Sequence, residues 1–295
     1  MRRVPLSTGV DLAIHESGRG ETVVLLHAWG ETHRSFDRLV PLLSPDLGLV
    51  VPDQRGVGES AKPAGGYSLT DAGEDVVALL DALGIDACWL LGTSSGGYVA
   101  QQVAVAHPER VQGLVLVGAP SDRQGPVPET LARVLASFQD PVTRDDIRAL
   151  DGVLPLRSPV PEGFLDDQST SALTIPLAVW VAGIEGLVAA PPPLRSGTIA
   201  VPTLILWGAQ DDILPASQAQ ELAAAIDVSR LVIYEETGHL VLWERPERVA
   251  ADAAAFIAAN TSGRGSAADR AEPSTRPPRV PHRRTHAVTT PRPDP

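Results

Sequence analysis

Residues 89–102 read WLLGTSSGGYVAQQ. An apolar run passes through glycines around two adjacent serines and then takes on a helical pattern. In an open α/β sheet, ligands bind outside the carboxyl ends of the strands, which is where such a turn lies. A serine on a tight strand-to-helix turn needs strained backbone angles. The residues two positions to either side must lack bulk, because they approach each other closely. Gly92 and Gly96 flank Ser94 in that way, whereas Ser95 has Thr93 and Gly97 as its equivalent neighbours. Ser94 is therefore the candidate nucleophile. Ser95, at the start of the helix, offers its backbone N–H to an oxyanion, aided by the helix dipole.

Working outward, the same alternation of strand and helix recurs. Strand patterns occur at 11–16, 22–27, 48–53, 88–92, 111–118, 203–208 and 230–235. Most are near-continuous Val/Leu/Ile, as expected where both faces of a parallel sheet are covered. Helical patterns fill the gaps at 68–84, 95–108, 215–226 and 245–260. The first opens with Ser68 and Asp71 as a capping box and closes at Gly84. This order predicts an α/β fold, a mostly parallel, doubly wound sheet. The alternation lapses from 121 to 199, a Pro-rich segment with helical patterns and no strand. Structureless loops of that length are rare inside a compact domain, so a helical cap inserted into a core of 1–120 and 200–260 is expected.

A serine hydroxyl is a poor nucleophile unless a base takes its proton. Of seven histidines, His239 directly follows the last predicted strand, on the same end of the sheet as Ser94. His15, His27, His33 and His107 have simpler structural readings, and His282 and His286 lie in the tail. The base needs an orienting carboxylate. Asp211, just after the strand 203–208, is preferred to Asp212 and to Asp122.

Composition narrows the function classes. The net charge of −12 argues against nucleic acid as a partner, since phosphate binding needs a basic face. The tail 261–295 is the exception, with seven Arg against three acids and almost no large apolar residue, and it is expected to be disordered. The single cysteine, Cys88, opens an apolar run and reads as a buried structural thiol. One thiol and no apolar segment behind Arg2 and Arg3 predict a cytoplasmic protein without a signal peptide. The longest apolar stretch, 171–191, contains Pro176 and Glu185 and reads as a helix over a pocket rather than a membrane span.

With Ser94, Asp211 and His239 in that order on an alternating sheet, the chain resembles the α/β-hydrolase family over residues 1–260. The segment LLHAWGETHRSF (25–36) is similar to the family's oxyanion loop, with Ala28 where glycine is usual, and GHLVLWERPERV (238–249) to its histidine segment. Asp53 and Arg55, in VPDQRGVGES, resemble turn-stabilising residues. The resemblance implies that the N–H of Trp29 joins that of Ser95 in the oxyanion hole. It implies acyl transfer to Ser94 with no metal or organic cofactor and a small molecule as the partner. Serine at the nucleophile position argues against the dehalogenase and epoxide hydrolase branches. Esterases, lactonases, carbon–carbon bond hydrolases, cofactor-free perhydrolases and ligand-binding homologues remain open. Between Ser171 and Leu194 the only charge is Glu185. This stretch is expected to line the pocket, with Trp180 as a substrate-binding residue, and to favour an apolar, uncharged substrate group.

Overall fold

The computed structural model describes residues 1–43 and 45–268. In chain order it comprises β1 (Arg2–Pro5), β2 (Asp11–Ser17), β3 (Glu21–Leu26), β4 (Leu47–Pro52), α1 (Leu69–Leu83), β5 (Cys88–Thr93), α2 (Ser95–Ala106) and β6 (Val111–Val117). Five helices follow: α3 (Glu129–Ala136), α4 (Arg144–Asp151), α5 (Glu162–Ala172), α6 (Leu177–Ala189) and α7 (Pro193–Ser196). The chain then returns to the sheet with β7 (Thr203–Gly208), α8 (Ser217–Ala225), β8 (Ser229–Tyr234), α9 (Val241–Glu244) and α10 (Pro246–Ala268).

The strands form one eight-stranded sheet in the order β1-β2-β4-β3-β5-β6-β7-β8. β1, β2 and β4 pair antiparallel, and every pairing from β4 through β3 to β8 is parallel. All seven expected strands are present. β1 is additional: it is a short edge strand on which only Val4 is buried, so no run of apolar residues announces it.

The pleat explains the Val/Leu/Ile runs. Successive side chains leave a strand on opposite faces. Val24, Leu26, Leu90, Leu114 and Leu116 enter one core with α1 and α2. Their neighbours Val23, Leu25, Leu91, Val115 and Val117 enter a second core with α10 on the other face. Both faces are covered, so the middle of each of these strands is apolar on both sides.

Local signals set the helix ends. Ser68 accepts from the Asp71 N–H at 3.1 Å, while Asp71 accepts from the Ser68 N–H at 3.0 Å. Gly84 then ends α1 in the left-handed conformation, φ 67°, which costs glycine little. α10 runs to Ala268, past the expected end at 260 and into the segment read as tail. The remainder of the expected disordered tail, with His282 and His286, lies outside the described residues.

Residues 121–199 carry α3 to α7, whose apolar side chains gather in a third cluster around Trp180, Phe138 and Ile147. The apolar stretch 171–191 is not one helix. It is broken at Pro176, so that α5 and α6 meet at a bend of 95°. Among the described residues no single helix is long and apolar enough to cross a membrane, although this bent pair passes the same test of length and composition. Cys88 is fully buried at the start of β5, and burial pushes its thiol up to about 12.

Candidate active site

Because β3, β5, β6, β7 and β8 run parallel, the loops after them meet at one end of the sheet. Ser94 sits between β5 and α2 with φ 46° and ψ −119°, a backbone conformation that L residues rarely hold. The turn is as crowded as the sequence requires. A Cβ on Gly92 would come within 2.4 Å of the Gly96 carbonyl oxygen, and one on Gly96 within 2.1 Å of the Leu26 carbonyl oxygen. The Ser94 N–H donates to the Val117 carbonyl at 2.9 Å, which ties the turn to the end of β6.

Ser94 Oγ lies 3.0 Å from His239 Nε2, and His239 Nδ1 lies 2.8 Å from Asp211 Oδ2. An ionised Asp211 can only accept, so Nδ1 carries the proton and Nε2 is left with its lone pair towards Ser94. The other Asp211 oxygen accepts the N–H groups of Ile213 at 2.8 Å and Leu214 at 2.9 Å. Both rival carboxylates are engaged elsewhere: Asp212 pairs with Arg157, and Asp122 with Arg195 at 2.9 Å.

The loop that carries His239 is held by contacts the sequence did not announce. Glu244 accepts the N–H of Gly238 at 3.1 Å and that of Arg157 at 3.2 Å. Ser158 donates to the Glu236 carbonyl at 2.9 Å. Glu244 lies inside the quoted histidine segment, but Arg157 and Ser158 come from the insertion and no spacing signals their approach.

The oxyanion loop follows β3. His27 is buried; its Nε2 accepts the Gln54 N–H at 3.0 Å, so its Nδ1 donates to the Ala28 carbonyl at 2.9 Å. Burial holds its pKa below the ordinary value, and it acts as a neutral clasp between two loops. Asp53 and Arg55 hold the neighbouring turn. Asp53 takes the His33 ring at 2.7 Å and the N–H groups of His33 at 2.8 Å and Glu59 at 2.9 Å. Arg55 pairs with Asp75 at 2.6 Å.

Two features qualify the expected oxyanion hole. The Trp29 N–H points at Ser95 Oγ, 2.6 Å away, so in this state one expected donor is satisfied by the hydroxyl of the second serine. Glu31 lies in the same loop, where its Oε2 accepts from the Ala28 N–H at 3.1 Å and from Ser35 Oγ at 2.6 Å. Burial raises the Glu31 pKa, against the opposing pull of those hydrogen bonds.

Ser94, Ser95, Trp29 and His239 line a cavity of about 100 Å³, roofed by Leu131, Leu150, Leu154, Ile184 and Leu187 from the insertion. A second cavity of about 230 Å³ adjoins it through Trp29, Glu31, Leu150, Leu154 and Leu240. Trp180 lines that second cavity and a third one beside Trp29 and Ser95, but not the cavity at Ser94 itself. It is packed edge-on against Trp29, at 4.9 Å between centroids, and against Phe138 at 5.6 Å. Its carbonyl accepts the Trp29 indole N–H at 3.0 Å. Its bulk goes into bracing Trp29, because a large aromatic on the inner side of α6 meets the oxyanion loop before it reaches the nucleophile. Among the described residues no group of three or more His, Cys, Asp or Glu side chains is gathered to hold a metal.

This arrangement has known counterparts. The model of the alpha/beta hydrolase family matches residues 23–253. The chain belongs to the alpha/beta hydrolase family. Among its relatives in this family is the 2-hydroxymuconate semialdehyde hydrolase of Pseudomonas sp. (strain CF600), 29% identical over 86% of this chain and 92% of that protein. Another is the pimeloyl-[acyl-carrier protein] methyl ester esterase of Klebsiella pneumoniae (strain 342), 31% identical over 78% of this chain and 91% of that protein. An esterase from Exiguobacterium antarcticum superposes with a TM-score of 0.77 over 87% of this chain and 98% of its own, at 24% identity, and so shares the fold.

Proposed function

We propose that this alpha/beta hydrolase cleaves a small, largely apolar carboxylic ester or lactone through an acyl-enzyme. One observation carries the reading: Ser94 Oγ, His239 Nε2–Nδ1 and Asp211 Oδ2 are joined by hydrogen bonds of 3.0 and 2.8 Å at the wall of an apolar cavity. Ser94 attacks the carbonyl carbon as His239 takes its proton, and Asp211 stabilises the imidazolium that results. The negative charge on the former carbonyl oxygen falls to the N–H groups of Ser95 and Trp29, where one donor is typically worth roughly 10²–10³ in rate. His239 returns the proton to the departing alkoxide. A water molecule, deprotonated by His239, then cleaves the acyl-enzyme and restores Ser94.

The naming of one relative as a methyl ester esterase supports an ester substrate. The naming of another as a 2-hydroxymuconate semialdehyde hydrolase supports a second reading, in which the same triad hydrolyses a carbon–carbon bond beside a ketone. In both readings the partner is a small molecule and the enzyme works in the cytoplasm, with one buried thiol and an acidic chain unsuited to nucleic acid.

The first test is fluorophosphonate labelling with the adduct located by mass spectrometry, together with turnover of short-chain para-nitrophenyl esters. An adduct on Ser94 that disappears in His239→Ala, with ester turnover above that of Ser94→Ala, is expected. Labelling of Ser94 without turnover of any ester or lactone, but with cleavage of a dienoate-type diketone, would transfer the proposal to the second reading.

A further inference from the structure

The apolar lining of the catalytic cavity has one cationic exception. Arg123 lies in the loop after β6, outside the stretch 171–194 whose near-lack of charge suggested an uncharged substrate, and it lines the cavity together with Ser94 and His239. Its backbone N–H donates to Tyr98 Oη at 3.4 Å, but its guanidinium makes no hydrogen bond or ion pair with the described residues. The adjacent Asp122 attracts it through space but makes no hydrogen bond to it and is paired with Arg195 at 2.9 Å. Arg123 is partly buried, and that burial weighs against its charged form. Arginine does not give up its proton in proteins. A guanidinium with five donors thus stands at the cavity wall beside apolar side chains, without a hydrogen-bond acceptor from the protein.

We propose that Arg123 receives a carboxylate of the substrate, so that the preferred substrate is the half-ester of a short dicarboxylic acid, its second carboxylate held by Arg123 while Ser94 attacks the ester carbonyl. The inference rests on the acyl-transfer reading above and narrows its substrate. A planar guanidinium matches a carboxylate in two parallel hydrogen bonds. The apolar walls, Leu131, Leu150 and Leu187 among them, suit the methylene chain between the two ends. The other acid on the cavity wall, Glu31, has one oxygen committed to Ala28 and Ser35, and burial favours its uncharged form.

The test compares the para-nitrophenyl half-ester of glutaric acid with its uncharged isostere, in which an isopropyl group replaces the free carboxylate. The native enzyme is expected to prefer the half-ester. Arg123→Gln is expected to lower the ratio of the two kcat/KM values by roughly 10- to 100-fold, the range of a lost charge-assisted hydrogen bond, and Arg123→Lys to recover part of it. Glutarate is expected to protect Ser94 from the fluorophosphonate in the native enzyme and not in Arg123→Gln. Hydrolysis of both esters with a ratio that Arg123→Gln leaves unchanged would overturn the proposal while the esterase reading stands. Protection by glutarate that depends on Arg123, in an enzyme that turns over neither ester, would retain the carboxylate site and remove the ester reading.

Discussion

The second serine of the nucleophile turn offers the sharpest test of the site. Ser95 Oγ receives the Trp29 N–H at 2.6 Å, so the expected oxyanion must displace a hydroxyl that already satisfies one of its two donors. A neutral hydrogen bond of this kind contributes about 0.5–1.5 kcal/mol net. That contribution is lost on the way to the transition state, because the Trp29 N–H has to turn from the hydroxyl to the oxyanion. Ser95→Ala removes the competitor and leaves both backbone donors in place. It is expected to raise kcat/KM on a short-chain para-nitrophenyl ester by about 2- to 10-fold. The rate of fluorophosphonate labelling should rise in parallel, since that reaction also develops charge on an oxygen in the hole. The lost hydrogen bond from Trp29 should lower the thermal midpoint by only a few degrees, about 2–4 °C per kcal/mol in a chain of this size. A fall of tenfold or more in both rates, with the fold intact, would refute the reasoning. The Ser95 hydroxyl would then be passing a hydrogen bond from Trp29 on to the substrate instead of blocking it.

Other outcomes follow from the same geometry. Gly96→Ala sets a methyl group 2.1 Å from the Leu26 carbonyl oxygen, so backbone must retreat by roughly 1 Å; Ser94 labelling should slow about 100-fold, as mass spectrometry of timed samples would show. Glu244→Ala releases the N–H groups of Gly238 and Arg157 and should lower kcat roughly 10- to 100-fold with KM little changed, Glu244→Gln recovering part in steady-state assays. Asp53 is buried, which alone would raise its pKa. The hydrogen bonds from the His33 ring and from the backbone of His33 and Glu59 prevail and hold it at about 2, below its ordinary 3.8. A lowered folded-state pKa stabilises above the unfolded value and ceases to do so as pH falls through the folded one. About 2 kcal/mol should therefore be lost between roughly pH 4 and pH 2, and acid unfolding of Asp53→Asn should be correspondingly flatter. Cys88, with its thiol pushed up to about 12 by burial, should resist iodoacetamide at pH 8 in the native protein and react on unfolding, read by intact mass.

Much of the fold and the nucleophile turn was legible in the sequence because the determining forces there are local. The Val/Leu/Ile runs marked seven of eight strands, since the middle of a strand covered on both faces is mostly apolar. Gly92 and Gly96 singled out Ser94 over Ser95 because the clash they avoid lies within a few residues of the serine itself. Asp211 and His239 were legible by position, each directly after a strand, and parallel pairing brings the ends of those strands together. Contacts between segments that no local signal relates depended on the tertiary structure. Trp180 lines the cavities next to Ser94 rather than the one at Ser94, because the bend at Pro176 and the packing of α6 set it edge-on against Trp29. Ser95 Oγ meets the Trp29 N–H across sixty-six residues, and Arg157 reaches Glu244 across eighty-seven. No local signal in the loop after β6 marks Arg123 as a cavity residue. Only the placement of the insertion over the carboxyl ends of the strands encloses it. The chain's pattern of apolar and small residues determined which layers form and where the serine must turn. Packing between distant segments decided which side chains share the cavity with it, because burial depends on what arrives from elsewhere in the chain.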